Sequence, residues 1–463
     1  MDDLTSQSAT RLIQLIRART VSPLEIARAY LADIENLNPQ LNAIVTLAPG
    51  IIEHAREAEA AVMRGGELGP LHGVPLTIKD TIETAGIRTT SGSRIRANYV
   101  PPEDAGAVAR LKAAGAIILG KTNTPEMAIP YETDNLIFGR TNNPHNLQLT
   151  PGGSSGGEAA AIAACLSAAG LGSDLSGSIR VPAHFCGIAG LKPTSGLIPM
   201  DGHFPPAMEA LLFGASIGPM ARRVEDLSLM FDVLIGKQPA LTAAAKPRLN
   251  LRGQRVSWYV SDEVSPVTNE TKLAVKAAAG ALELAGLEVI AERPPGIESG
   301  ARLWIDLFSP AAAEQMRHIY SGREEDAGPL VRRVLIPAAS AESQVRDKRE
   351  HVMRERNNLR QRLLQWMETN SLIVAPVGAV PAFEHGNRRL DVAGESIRVF
   401  RAFSYSQTFN VFDLPSVVVP AGRSPEGLSI GVQIVGRPFQ ELAVLAAASI
   451  VEEALGGWWP PSL

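Results

Sequence analysis

The chain has 463 residues, 45% hydrophobic and 20% charged, with a net charge of −4. That is the composition of an ordinary soluble globular protein, long enough for several domains or one extended α/β fold, and it gives no reason to invoke nucleic acid or an anionic membrane as partner. Two cysteines, Cys165 and Cys186, exclude a disulfide framework and point to a reducing, cytoplasmic setting, as does an acidic, polar N-terminus that reads as no secretory signal.

Taken in order, Ser22, Pro23, Leu24 and Glu25 form a capping box with proline in the first turn. Leu24, Ala27, Leu31 and Ile34 continue at helical spacing, and Asn38-Pro39 is expected to close that helix. In Gly73 to Asp80, Val74, Leu76 and Ile78 alternate with Thr77 and Lys79, which is a strand pattern ending on Lys79. A lone lysine at a strand end is commonly a solvated charge, whereas a desolvated one has a lowered pKa and accepts a proton. A helix from Asp104 to Ala114 and a strand over 116–119 lead to Lys121, by sequence a rival base. Strands alternating with helices predict a layered α/β fold.

The glycine- and serine-rich stretch over 151–180 is unsuited to ordinary core, because glycine marks unusual backbone or close approach. Ser155 and Glu158 match a capping box, so a helix is expected from Gly156, with a small-residue body from Ala159 to Ala169 and a stop at Gly170 or Gly172. That run is too short for the roughly 18 residues of a membrane span. A loop should then lead to a second helix with Ser178 at its N-terminus, where free amides could hold an oxyanion. A serine in such a place is most often only a cap; Ser155 has an evident capping partner, while Ser154 and Ser178 have none.

Further on, the loop over 200–214 either walls a binding site or is a surface excursion. Residues 237–254 have the character of a linker. Strands are expected over 255–260 and 287–291, with a helix over 271–285 between them. A charged helical segment over 341–368 interleaves acids and bases, as a solvated face does. Apolar runs over 372–377 and 415–420 suit buried strands. No internal repeat is visible.

PGGSSGGE contains G-x-S-x-G, but a nucleophile elbow requires a strand immediately before it, and Asn142 to Pro151 spells a loop. The glycine run lacks the ending of a phosphate loop, and neither histidines nor cysteines show a zinc pattern, so no cofactor or metal is expected. Together GVPLTIKD, PGGSSGGE and GSDLSGSIRVPAHFCGIAGLKPT resemble the signature of the amidase signature family of serine hydrolases. The spacing agrees: 75 residues separate Lys79 from Ser154, and 24 separate Ser154 from Ser178. TNTPEMA, GPMARRVEDL, APVGAVP and LPSVVVPAG with GVQIVGRPF extend the resemblance over most of the chain.

The resemblance implies one amidase signature domain over 1–463, with its core at about 72–195 and a central mixed β-sheet between helix layers. It implies Ser178 as nucleophile, Ser154 as a bridging serine on a cis peptide bond, and Lys79 as base. The backbone amides of Leu175, Ser176, Gly177 and Ser178 would form the oxyanion hole, with Ser155 in support, and Asp174 and Arg180 would brace the loop. Lys121 becomes structural, and the segment Ala128, Ile129, Tyr131 lies near the acyl group. Where the family commonly has two glycines before its nucleophile, this chain has Ser176-Gly177, which bears on substrate shape. The implied reaction is hydrolysis of a small-molecule amide, and a homodimer is the family habit. The alternative is the glutaminase subunit of a tRNA amidotransferase, against which bulky Phe412 and Asp413 weigh.

Overall fold

The computed structural model describes residues 4–129, 131–206, 212–236, 249–335 and 342–463. Eleven strands form one sheet in the order β1-β3-β2-β4-β6-β5-β12-β13-β9-β7-β8. They are β1 (Ile44–Leu47), β2 (Pro75–Lys79), β3 (Ile117–Thr122), β4 (Ala169–Asp174), β5 (Ala189–Lys192), β6 (Ser216–Ala221), β7 (Arg255–Trp258), β8 (Glu288–Ala291), β9 (Leu372–Pro376), β12 (Ser416–Arg423) and β13 (Ser429–Gly436). A separate hairpin joins β10 (Arg389–Val392) to β11 (Glu395–Arg398).

The sheet is mixed. β3, β2 and β4 run parallel, β7 pairs in parallel with β8 and β9, and the pairs from β4 through β6, β5, β12 and β13 to β9 are antiparallel. Helices α5 (Gly156–Ala163) and α6 (Arg180–Cys186) pack together on one face of the sheet. Helices α7 (Val224–Ile235), Asn269–Leu284 and Glu441–Leu455 pack on the other. This is the layered α/β architecture expected, and cover on both faces leaves every residue of β2 to β6 buried, Lys79, Lys121, Ser173 and Asp174 among them.

Helix α2 (Pro23–Leu41) begins with the expected capping box, but runs past Pro39 to a left-handed Asn42. Pro39 lacks the N–H that would bond the Glu35 carbonyl, and the helix closes within a turn of it. Four further expectations hold within a few residues: Asn269–Leu284 as a helix, β7 and β8 flanking it, and Glu342–Trp366 as a long helix. Of the stretch read as a linker, residues 237–248 lie outside the described residues, as do 207–211 of the 200–214 loop.

The glycine-rich stretch differs from its reading. Helix α5 stops at Ala163, Cys165 takes a left-handed φ of 60°, and Ala169–Asp174 is a fully buried strand. Gly170 and Gly172 therefore stop no helix. A Cβ on Gly170 would lie 1.9 Å from Glu158 Oε1, so glycine here lets helix α5 lie close against the sheet. The capping box is absent as well. Glu158 turns inward and accepts from the hydroxyls of Thr77 and Thr122, the latter at 2.7 Å, and burial pushes its carboxyl up to about 7.

Candidate active site

Because β2 and β4 are parallel neighbours with Ile78 opposite Leu171, their C-terminal ends open on the same edge of the sheet. Lys79 ends the first and Asp174 the second. Every residue of β2 is buried, so Lys79 is no surface charge: its side chain is fully enclosed. Its Nζ lies 2.6 Å from Ser154 Oγ and 3.0 Å from Ser173 Oγ. Burial pushes the ammonium down to about 7, against the opposing pull of Asp174 and Glu158.

Ser154 follows a cis peptide bond from Gly153, as expected, and its carbonyl accepts from Thr124 Oγ1 at 3.0 Å. Ser155 leaves its capping role and joins β4, donating to the Ser173 carbonyl and accepting from the Ser173 amide, both at 3.4 Å. The Ser155 amide donates to the Ser178 carbonyl at 3.1 Å, which fixes the Ser154 loop against the Ser178 loop. Ser178 is 7% exposed, and its hydroxyl is hydrogen-bonded to no described residue. It stands at the mouth of the site just before helix α6.

The loop between β4 and α6 is held from within. Asp174 accepts from the amides of Gly177 at 2.8 Å and Ile179 at 3.0 Å, from Arg180 Nε at 3.1 Å and Nη2 at 3.0 Å, and from Asn410 Nδ2 at 2.9 Å. Burial alone would raise that carboxyl, but the Arg180 guanidinium holds it well below the usual carboxylate range. Both side chains of the pair have zero exposure, so this is a fully desolvated brace and not a surface ion pair. Arg180 also reaches Gln433 Oε1 at 2.9 Å and Asn410 Oδ1.

One expectation is corrected. The Gly177 amide is taken by Asp174, so it is not free to hold an oxyanion. Gly177 instead supplies a φ of 106° and leaves room where a Cβ would come within 2.7 Å of Ser406. The amides of Leu175, Ser176 and Ser178 have no acceptor among the described residues.

The loop's carbonyls are tied to aromatic side chains. Tyr131 Oη donates to the Ser176 carbonyl and Trp304 Nε1 to the Leu175 carbonyl, each at 2.8 Å. Gln407 Nε2 donates to Tyr131 Oη at 3.0 Å. Phe400 lies 5.2 Å from Trp304 and 5.9 Å from Tyr131, ring centre to ring centre. Ala128 and Ile129 are half-buried; Ala128 has a φ of 58°, and Ile129 packs against the cluster of Met127, Met316 and Tyr320.

Lys121 is also fully buried and also pushed down to about 7 by burial. Its Nζ donates to the Ile82 carbonyl and to Thr84 Oγ1 at 2.9 Å, away from either serine. Phe412 is core, and Asp413 accepts from Ser195 Oγ at 2.8 Å. Among the described residues no three histidine, cysteine or acidic side chains cluster as a metal site would, and no helix is long and apolar enough to cross a membrane.

Sequence reasoning missed Ser173, His203, Trp304, Gln407 and Asn410. Ser173 lies inside the GSDLSGSIR motif and His203 in the loop over 200–214 read as a candidate wall of the site, but neither residue was singled out; Trp304, Gln407 and Asn410 reach the site from separate segments.

The Amidase family model matches residues 25–445. A glutamyl-tRNA(Gln) amidotransferase subunit of Synechococcus sp. (strain JA-3-3Ab) is 33% identical, over 93% of this chain and 88% of that protein. The structure of 6-aminohexanoate cyclic dimer hydrolase complexed with substrate superposes with a TM-score of 0.85 at 30% identity, covering 99% of each chain. The structure of a glutamyl-tRNA(Gln) amidotransferase subunit from Thermotoga maritima superposes with a TM-score of 0.76 at 26% identity, covering 98% of this chain and 96% of that one. From its sequence match and its fold alike, this chain is a member of the amidase family, the amidase signature hydrolases of carboxylic amides.

Proposed function

We propose that this chain is a free-standing amidase, one domain over its length, in which Ser178, Ser154 and Lys79 act as nucleophile, proton bridge and base. The observation that carries the reading is the 2.6 Å approach of a fully buried Lys79 amine to Ser154 Oγ, on a loop held against that of Ser178 by the Ser155 amide, with the Ser178 hydroxyl having no protein partner among the described residues. Ser178 Oγ attacks the amide carbon while its proton passes to Ser154, whose own proton passes to Lys79. The carbonyl electrons move onto oxygen, held by the amides of Leu175, Ser176 and Ser178. Collapse breaks the C–N bond, and the leaving amine takes the proton back through Ser154. Water then repeats the sequence on the acyl-enzyme and releases the acid.

Tyr131, Trp304 and Phe400 stand beside the oxyanion loop, and together with Ala128 and Ile129 they favour an acyl group with apolar surface. Ser176, half-exposed, narrows the space beside that group. The substrate is a small-molecule amide, with no nucleic acid as partner. Cys165 and Cys186 form no disulfide, which suits a cytoplasmic setting, and a homodimer is testable by light scattering.

The second reading, a glutaminase subunit of a tRNA amidotransferase, is favoured by the names of the curated relatives. The higher superposition on the 6-aminohexanoate cyclic dimer hydrolase than on the amidotransferase subunit weighs against it. The deciding experiment is hydrolysis of an anilide and of a simple fatty amide by the purified chain. Turnover without partner chains, unaffected by added glutamine and abolished in a folded Ser178→Ala variant, is expected. Activity that appears only with partner subunits and glutamine would establish the second reading, and full activity of Ser178→Ala would remove the nucleophile.

A further inference from the structure

His203, on the loop after β5, is half-buried and belongs to none of the groups assigned a role above. Its Nδ1 lies 2.8 Å from the Pro205 carbonyl oxygen, and its Nε2 lies 2.9 Å from Ser173 Oγ. A carbonyl oxygen can only accept, so Nδ1 carries the ring hydrogen, and in a neutral imidazole Nε2 is then an acceptor. The Ser173 hydroxyl must therefore donate to His203. Having spent its one hydrogen there, Ser173 Oγ can only accept from Lys79, 3.0 Å away.

The consequence falls on Lys79. A neutral amine has two N–H bonds and one lone pair. Two of the three groups around Nζ are acceptors belonging to Ser173, its Oγ at 3.0 Å and its carbonyl oxygen at 3.5 Å. The third is Ser154 Oγ at 2.6 Å. With the hydrogens directed at Ser173, the lone pair is left facing the Ser154 hydroxyl. We infer that His203 is a positioning residue for this chemistry: by fixing the direction of the Ser173 hydroxyl, it aims the Lys79 lone pair at Ser154. This rests on the Lys79, Ser154, Ser178 reading above.

The surroundings hold the ring in that role. The His203 amide donates to the Met200 carbonyl at 3.2 Å and the Phe204 amide to the Thr81 carbonyl at 2.8 Å, which ties the loop to the segment following Lys79. The Phe204 ring stacks on the Arg96 guanidinium, 4.1 Å from carbon to ring centre. Burial pushes the imidazole down to about 4, and the positive charges of Lys79 and Arg96 act in the same direction, so the ring is neutral where the enzyme works. Without an acceptor at Nε2, the Ser173 hydroxyl is free to turn and donate into the lone pair of Lys79, competing with Ser154.

The test is the rate at which a serine-directed fluorophosphonate labels Ser178 in the full-length chain, read by mass spectrometry. His203→Leu is expected to slow labelling roughly ten- to a hundredfold, less than loss of the base itself. His203→Gln, which offers an amide oxygen in place of Nε2, recovers most of the rate. In a Ser173→Ala background no hydroxyl competes, so His203→Leu adds no further loss, a coupling that a merely structural role would not produce. Should His203→Leu fail to fold, His203→Asn, polar but too short to reach Ser173, is expected to show the same loss and the same coupling. Labelling of His203→Leu at the wild-type rate, or an undiminished loss in the Ser173→Ala background, overturns this inference alone. Wild-type labelling at a serine other than Ser178 overturns the underlying reading with it.

Discussion

Lys79, the last residue of β2, and Lys121, the last but one of its parallel neighbour β3, are equally enclosed and are both pushed by burial to about 7. Because Lys121 pairs with Ile78 and Lys79 with Thr122, their side chains leave opposite faces of the sheet. Lys79 meets two serine hydroxyls; Lys121 meets a carbonyl oxygen and Thr84, and its charge stands near Asp80. A lowered pKa makes a lysine able to take a proton, but only a hydroxyl placed to give one makes it a base. Desolvation is common to the pair, and the neighbours alone divide their roles.

Removing the first lysine has the largest effect. Lys79→Ala is expected to slow acylation by about 10²- to 10⁴-fold. In the wild type the amine loses its proton as the pH passes about 7, so kcat/KM should climb through neutrality and level off above it. In the variant that climb disappears, and a pH profile of anilide hydrolysis checks both points. An unchanged profile would break the contrast, since the base would lie elsewhere.

Removing the second lysine should separate stability from chemistry. Lys121→Met leaves the Ile82 carbonyl without its buried donor, at a cost of about 1–3 kcal/mol in urea unfolding, while the rise of rate through neutral pH remains. Loss of that rise would make the two lysines one system. The smallest effect should come from Tyr131→Phe, which removes the 2.8 Å bond to the Ser176 carbonyl and the 3.0 Å bond from Gln407, whose Nε2 keeps the Phe400 carbonyl as acceptor. A net loss of about 0.5–1.5 kcal/mol predicts a kcat/KM lowered by roughly tenfold or less, with the pH profile intact.

Much of this was legible in the chain. The three motifs carried Lys79, Ser154 and Ser178 because each is local and the spacing between them is distinctive. The apolar, β-rich runs over 372–377 and 415–420 are the buried strands 372–376 and 416–423, and the charged segment over 341–368 contains the long helix Glu342–Trp366. The helix from Gly156 was read correctly as far as Ala163, but Ala164 to Asp174 was misread because alanine and glycine in a buried setting carry no period: a helix and a strand without a polar face look alike. Ser155 and Glu158 had the capping-box letters, but two threonines on β2 and β3 offered the carboxylate a better-enclosed site. The Gly177 amide was misassigned because which way a turn's N–H faces depends on Asp174 folding back beneath it. His203, Trp304 and Asn410 were illegible for a different reason, since their roles exist only once distant segments meet.

The Asp174–Arg180 pair has a consequence for the protein's synthesis. The three residues proposed as the triad lie in the first 178 positions, yet the pair that shapes the Ser178 loop is completed by Asn410 and Gln433. A nascent chain still threaded through the ribosome therefore contains the reactive groups without the turn that arms them. On the proposed reading, hydrolysis is expected only once translation has delivered nearly the whole polypeptide, and an interrupted product is expected to be inert.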